Sequence, residues 1–164
     1  MNFSGTWSAT DFFRSLTLKN RLAKAHGFTF CLVSGLSGFL DVISANNSDP
    51  FVIALDDTSD GYAQIDNSPH RRLVKTVYFS MRHAVADQEA RQHCIDIMAE
   101  IFRQFMSKLI MERTQLAQKM LRLDPRIQFS EMDKYFCTGA ACVFFQIAVD
   151  VDTDMRFNKD EWED

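Results

Sequence analysis

The carboxylates of the segment DVDTDMRFNKDE have the spacing of a calcium-binding loop. Asp150, Asp152 and Asp154 stand at positions 1, 3 and 5 of a twelve-residue loop, and Glu161 stands at position 12, where an EF-hand places a bidentate carboxylate. The sixth position normally needs glycine for a sharp turn, but it is Met155 here. Whether these carboxylates bind a metal depends on the elements that position them.

The hydrophobic alternation before this segment favours a different interpretation. Residues 141–152 alternate with period 2, so that Val149 and Val151 lie on one face of a strand while Asp150 and Asp152 continue the other. An EF-hand needs a helix on each side of its loop. We therefore interpret the acidic spacing as the solvent-exposed face of a strand and predict neither a metal site nor a cofactor. A weaker cation site on the same carboxylates is the alternative.

The other polar groups do not form a catalytic pattern. His83 and His93 have no second histidine or cysteine three or four residues further along, the usual zinc-site spacing, and the segment from Gly35 to Gly38 lacks the Gly-Lys-Ser/Thr of a phosphate-binding loop. Asp56, Asp57 and Asp60 fall in D-D-T-S-D-G, which is typical of a turn. The sequence therefore predicts that the chain is not an enzyme.

Composition and charge exclude several functional classes. At 164 residues with 46% hydrophobic and 24% charged residues, the chain suits one folded domain over 1–164. A net charge of −4 without a basic stripe argues against sequence-specific nucleic-acid binding, and no apolar run approaches the roughly 18 residues of a membrane span. The N-terminal segment lacks a basic region and an apolar core, so no secretory signal is expected.

Four cysteines are expected to be reduced in such a chain. Cys137 and Cys142 flank T-G-A-A and are interpreted as small apolar strand residues. A disulfide across a tight hairpin is the alternative.

The pattern of apolar residues and turn signals predicts the order of elements. The predicted elements are a helix (10–26), a strand (28–33), a hairpin (39–44 with 51–56), a long strand (71–81), a long helix (87–107, with helix-compatible composition up to 124) and a closing hairpin (126–137 with 141–152). The predicted fold class is α+β. It comprises an antiparallel sheet of about five strands, with an N-terminal helix and one long helix packed on it and a closing C-terminal hairpin.

The predicted long helix has a wider apolar face than one sheet can cover. Its apolar side chains, among them Ile95, Phe102 and Met106, span an arc of roughly 220° when residues are set at about 100° per step. A helix packed on a single sheet needs an apolar stripe of about 100° or somewhat more. Either the first helix or a neighbouring subunit must cover the excess, and we treat these three residues as candidate interface positions.

Both ends of the chain carry large aromatic residues. Phe3 and Trp7 lie in one terminal arm (about 1–9), and Phe157 and Trp162 lie in the other (about 153–164). Tails that stay in water seldom need such side chains, whereas Trp and Phe commonly anchor interfaces. These residues are therefore candidates for docking, either on a partner or on the domain's own core. The 15 Phe and 8 Met of the chain also point to a subunit interface.

Three stretches carry a resemblance to a known family. They are TDFFRSLTLKNRLAKAH, the strand-to-helix stretch RRLVKTVYFSM…QHCIDIMAEIFRQFM, and CVFFQIAVDV. Their order resembles the tail-terminator (tail-completion) and neck ring proteins of tailed bacteriophages. The segment 111–124 is longer than such a fold requires.

The resemblance implies a non-enzymatic subunit of a ring, commonly a hexamer, at the end of a tail tube. Such a ring stops tube growth and joins the tube to neck or connector proteins, through heterologous contacts between subunits. It further implies a location in the virion after synthesis in the host cytoplasm. Two alternatives remain open at this point. One is a small intracellular interaction domain unrelated to phage, and the other is an enzyme or metal-binding protein that uses the acidic segment.

Overall fold

The computed structural model describes residues 7–45, 51–58, 60–134 and 136–163. Its helices are α1 (Ala9–Lys19), α2 (Arg21–Ala25), α3 (Gly35–Ala45) and α4 (Gln88–Gln118), followed by a short 3-10 turn (Lys159–Glu161). Its strands are β1 (Thr29–Val33), β2 (Phe51–Asp56), β3 (Asp60–Gln64), β4 (His70–Arg82), β5 (Leu121–Leu123), β6 (Phe129–Glu131) and β7 (Ala140–Asp152). Within the described ranges, seven strands form one sheet in the order β1-β2-β4-β7-β5, with β3 also beside β4 and β6 also beside β7.

Two long antiparallel strands form the spine of this sheet. All 13 residues of β4 pair with β7, from His70 opposite Asp152 to Arg82 opposite Ala140. On its other side β4 pairs with β2 and β3, and β7 pairs with β5 and β6. The predictions of a central strand over 71–81 and of an alternating strand over 141–152 are confirmed. The closing hairpin is also present, but its first strand, β6, has only three residues.

The predicted hairpin of 39–44 with 51–56 is wrong. Residues 39–44 belong to α3, in which Phe39 and Ile43, one helical turn apart, are both buried. Strands β1 and β2 run parallel, so α3 serves as the crossover that parallel neighbours require. The sheet is therefore mixed rather than antiparallel, and the fold remains α+β. Most of the polar cluster between the two segments, 46–50, lies outside the described residues.

The predicted helix over 10–26 divides at Asn20. This residue has extended backbone angles, and its Oδ1 accepts a hydrogen bond of 2.8 Å from the backbone N–H of Ala23. Asn20 thereby ends α1 and caps α2, while its Nδ2 donates to Gln104 Oε1 of α4 at 2.7 Å. The side chain thus fixes the N-terminal helices against the long helix.

The long helix begins where predicted and ends earlier than its composition allows. The Asp87 carboxylate caps it by accepting from Ala90 N–H at 2.8 Å. The helix ends at Gln118, just before Met120 adopts a left-handed φ of 59°. Leu121 and Leu123 then alternate as buried residues of β5, so the expectation of helix-compatible structure up to 124 is wrong.

Helices cover both faces of the sheet. On one face α1 and α4 meet the spine, where Phe13 lies 5.8 Å from Phe145 and 6.3 Å from Phe105 between ring centroids. On the other face Phe39 of α3 stacks on Tyr78 at 4.6 Å. The predicted placement of the N-terminal helix and the long helix on one sheet is confirmed. None of the helices among the described residues is long and apolar enough to cross a membrane.

Candidate functional site

The acidic segment continues β7 instead of forming a calcium loop. Asp150 and Asp152 lie in the strand opposite Arg72 and His70 of β4. Arg72 donates from Nε to Asp150 Oδ1 at 2.7 Å and from Nη2 to Asp150 Oδ2 at 3.0 Å. Asp152 pairs with Arg122 at 2.8 Å. The prediction that these carboxylates continue one face of a strand is confirmed, but that face is not fully exposed to solvent, since only 16% of the Asp150 side chain is accessible.

Arg72 organises a small polar network at this end of the spine. Its Nη1 donates to Asp124 Oδ2 at 3.2 Å, and its guanidinium lies 5.6 Å from the centroid of the Tyr62 ring. The hydrogen bonds and charge of Arg72 hold the pKa of Asp150 below its usual range, and those of Asp150 raise the pKa of Arg72. The network therefore links β3, β4, β7 and the segment after β5.

The acidic arm (residues 153–164, described as far as 163) leaves the sheet beyond Asp152. The Thr153 backbone N–H donates to Pro69 O at 3.2 Å, which holds the start of the arm at this end of the spine. Farther on, Phe157 and Trp162 stack on each other with ring centroids 6.3 Å apart and an interplanar angle of 24°. Their side chains remain 77% and 69% exposed. The arm thus presents an aromatic pair that the rest of the domain leaves uncovered.

The other candidate interface residues among the described ranges contact the domain's own core. Ile95 is 3% exposed, and the half-buried Phe102 packs on Phe129 and Phe145 with ring centroids 4.7 and 5.0 Å away. Met106 is also half-buried against the core, and Trp7 lies 5.6 Å from the Phe12 ring. Phe3 lies outside the described residues.

The wide apolar arc of α4 is therefore mostly covered by this chain. The sheet and α1 enclose Ile101, Phe105 and Leu109, each at most 1% exposed. Only the distal part of the arc is open, where Ile110 and the adjacent Met111 are 71% and 70% exposed. Most of the apolar face of α4 is therefore covered by elements of the same chain rather than left for a neighbouring subunit.

Asp56 and Asp57 of the D-D-T-S-D-G segment have structural partners, whereas Asp60 begins β3. Asp56 Oδ1 accepts from the backbone N–H groups of Thr58 at 2.9 Å and of Gly35 at 3.0 Å. Although burial acts to raise it, these hydrogen bonds hold the pKa of Asp56 below its usual range. Lys75 Nζ donates to the carbonyl oxygens of Asp57 at 2.8 Å and Thr58 at 3.0 Å. The interpretation of Asp56 as a turn former is confirmed, and the same carboxylate anchors the start of α3.

The cysteines have the free thiol form. Cys142 is buried in β7, where burial raises the pKa of its thiol to about 12. Cys137 lies in the turn before the strand and is half-buried. The prediction of a small apolar strand residue is therefore confirmed for Cys142 and wrong for Cys137, which lies between β6 and β7.

Sequence reasoning missed a pocket at the opposite end of the spine. The pocket has a volume of about 330 Å³ and lies at the start of α4, next to the C-terminal end of β4. His83, Val85, Arg91 and Lys134 are among its lining residues. These residues are dispersed along the chain and come together only through the pairing of β4 with β7. No local spacing signals such a site.

We also considered groups of acidic, histidine and cysteine side chains that could bind a metal. Across the ranges that the structure describes, no group of three or more such residues is arranged to hold a metal ion.

In comparisons with known proteins, the chain matches no family model and no curated protein sequence. Its function is therefore argued from its own geometry.

Proposed function

We propose that this chain is a structural subunit of a tailed bacteriophage or a phage-tail-like particle. It assembles into a ring, which we take to be a hexamer, at the tail end or the head–tail junction. The ring terminates the tail tube and joins it to neck or connector proteins. The chain performs no catalysis in this role, and its working location is the virion.

The exposed aromatic pair is the observation that carries this proposal. Burying a large apolar side chain typically contributes about 1.5–3 kcal/mol, so Phe157 and Trp162 represent a substantial unused driving force in the isolated chain. Trp and Phe that project from a surface are characteristic anchors of protein interfaces. Ring assembly gives this pair a partner surface.

The arrangement of elements supports the phage assignment within this proposal. The three stretches that carry the family resemblance fold as two consecutive helices, a strand followed by a long helix, and a strand. The first helix and the long helix also share one face of the sheet. The crossover helix α3 is an addition to the expected order, and it lies on the opposite face.

The engagement of the carboxylates supports a non-enzymatic role. Asp150 uses both carboxylate oxygens to bind Arg72, and Asp56 is occupied by backbone donors. A general acid or base needs an accessible carboxyl group near a reacting atom. These two groups instead stabilise strand and turn geometry.

Light scattering on the purified full chain, together with electron microscopy of tail tubes, tests the proposal. We expect a ring-sized species in solution and tubes of limited length when the chain is present during polymerisation of the tube protein. The matched control is the Phe157→Ala/Trp162→Ala variant, which we expect to leave tube growth unlimited. A strictly monomeric chain with no effect on tube length would overturn the proposal.

A further inference from the structure

The pocket at the start of α4 combines positive charge with an exposed apolar side chain. Arg91 and Lys134 supply the cations, and the N-terminal end of the helix dipole adds partial positive charge. Val85, which also lines the pocket, is 69% exposed. Asp87 is a lining carboxylate, but it is engaged as the cap of α4. The pocket therefore suits a ligand that carries carboxylates beside apolar groups.

Arg91 has unused hydrogen-bonding capacity at this site. Its Nη2 donates to Met132 O at 3.2 Å, whereas its Nε–H is buried without an acceptor among the described residues. A buried donor without a partner carries a desolvation cost that no hydrogen bond offsets. A carboxylate that draws the guanidinium toward the pocket mouth would remove this cost and form a charge-assisted pair.

The acidic arm has the complementary composition. Residues 153–164 contain five carboxylate side chains against two cationic ones. The same arm presents the stacked Phe157 and Trp162, which can cover an apolar side chain and also contact cations through their ring faces. In charge and in apolar character, the arm matches the pocket.

The arm and the pocket lie at opposite ends of the spine. The arm leaves β7 at Asp152, which pairs with His70, whereas the pocket adjoins Arg82, which pairs with Ala140. The 13 paired residues between them span roughly 40 Å at about 3.3 Å per residue. An arm of 12 residues reaches that far only when fully extended, and the turn at Lys159–Glu161 shortens it. One copy therefore does not fill its own pocket in this structure.

We infer that the acidic arm of one copy docks in the pocket of a second copy, an inference that rests on the proposed ring assembly. Carboxylates of the arm bind Arg91 and Lys134, while Phe157 and Trp162 cover Val85. Because two different patches meet, the contact is heterologous and repeats from subunit to subunit until the ring closes.

Mixing two full-length variants tests this inference. The arm variant is Phe157→Ala/Trp162→Ala, and the pocket variant is Val85→Asp/Lys134→Glu. Each variant alone should self-associate at least about 30-fold more weakly than the natural chain, as expected for interface hot spots. Mixed together, they should form one-to-one dimers, since the arm variant retains a pocket and the pocket variant retains an arm. Analytical ultracentrifugation of each sample and of the mixture measures both effects.

The outcomes separate this inference from the proposed function. If the natural chain forms rings and the pocket variant does so equally well, the docking inference is wrong while the ring proposal stands. If neither variant assembles alone and the mixture also stays monomeric, the pairing of arm with pocket is wrong. A natural chain that never assembles would overturn both. Val85→Asp alone, at an exposed position, serves as the second pocket variant if the double substitution lowers the thermal stability.

Discussion

Arg72 and Asp150 form a bidentate pair near the start of β4 and the end of β7. Both side chains are mostly shielded from solvent, with 26% and 16% of their surfaces exposed. Two parallel hydrogen bonds fix the guanidinium against the carboxylate, and a third reaches Asp124. Since solvent and salt screen such a pair less than a surface pair, it contributes measurably to stability.

We expect Asp150→Asn to lower the free energy of unfolding by about 1.5–3 kcal/mol at neutral pH, the usual range for a hydrogen bond to a charged group. The substitution keeps the size of the side chain but removes the charge that Arg72 binds. Urea denaturation of the full chain measures the change. Glu100→Gln is the matched control, because Glu100 forms a solvent-exposed pair with Arg103 and should leave the denaturation midpoint nearly unchanged.

The same pair predicts how the free energy of unfolding changes at acidic pH. Arg72 lowers the pKa of Asp150 in the folded state, so the unfolded state takes up the proton more readily. The stabilisation that the Arg72–Asp150 pair gives the folded state is therefore fully present above about pH 3.9, the pKa of an aspartate in the unfolded chain. It is lost as the pH falls through the lower pKa of Asp150 in the folded state. The difference in stability between the natural chain and Asp150→Asn should shrink below about pH 4. A difference that grows in acid would contradict this assignment.

Calcium should not stabilise the chain through the acidic segment. Asp150 and Asp152 are bound to Arg72 and Arg122, so a cation would first have to displace two guanidinium groups. Titration calorimetry with calcium should show no binding heat for either the natural chain or Asp152→Ala. Heat in the natural chain that disappears in the variant would revive the metal-binding alternative.

At the scale of elements, the crossover helix α3 shows where sequence patterns are ambiguous. Phe39, Val42 and Ile43 are apolar, and a short run of this kind fits a strand as well as a buried helix. The outcome is set by the parallel pairing of β1 with β2, a tertiary feature that local periodicity does not encode. By contrast, β4, α4 and β7 are long enough for their period to be unambiguous, and each was predictable from the sequence.

Two glycines of α3 give opposite predictions, because they differ in backbone conformation. Gly38 lies inside the helix, and an added Cβ would meet only ordinary contacts with Val33, so Gly38→Ala should raise the free energy of unfolding by about 0.5–1 kcal/mol. Gly35 has a left-handed φ of 68°, so Gly35→Ala should destabilise the fold. Thermal and urea unfolding of both variants measure the two effects. Destabilisation by both would argue against the helix.

At the scale of the whole molecule, the candidate site was only partly predictable. The aromatic residues of the acidic arm stand out in the sequence because a polar tail seldom carries them. The wide apolar face of α4 is also visible in the sequence, but most of its side chains are buried within the domain. Phe105, for example, contacts Phe13 of α1 and Phe79 of β4. The pocket could not be predicted, since Arg91 and Lys134 come together only through the tertiary structure.

The last prediction separates assembly from folding. Phe157→Ala and Trp162→Ala remove side chains that are mostly exposed and contact each other, so each should change the free energy of unfolding of the monomer by less than about 0.5 kcal/mol. Each should nevertheless weaken ring formation strongly, because the proposed contact between subunits would bury the pair. Met111→Ala, at a position on α4 that is 70% exposed, is the matched control and should leave both quantities unchanged. Denaturation at low protein concentration and light scattering at high concentration measure the two quantities separately. Equal losses in folding and in assembly would place the aromatic pair in the domain's own core. Removing a side chain that stabilises the monomer lowers both measured quantities, whereas removing one that stabilises only the ring lowers assembly alone.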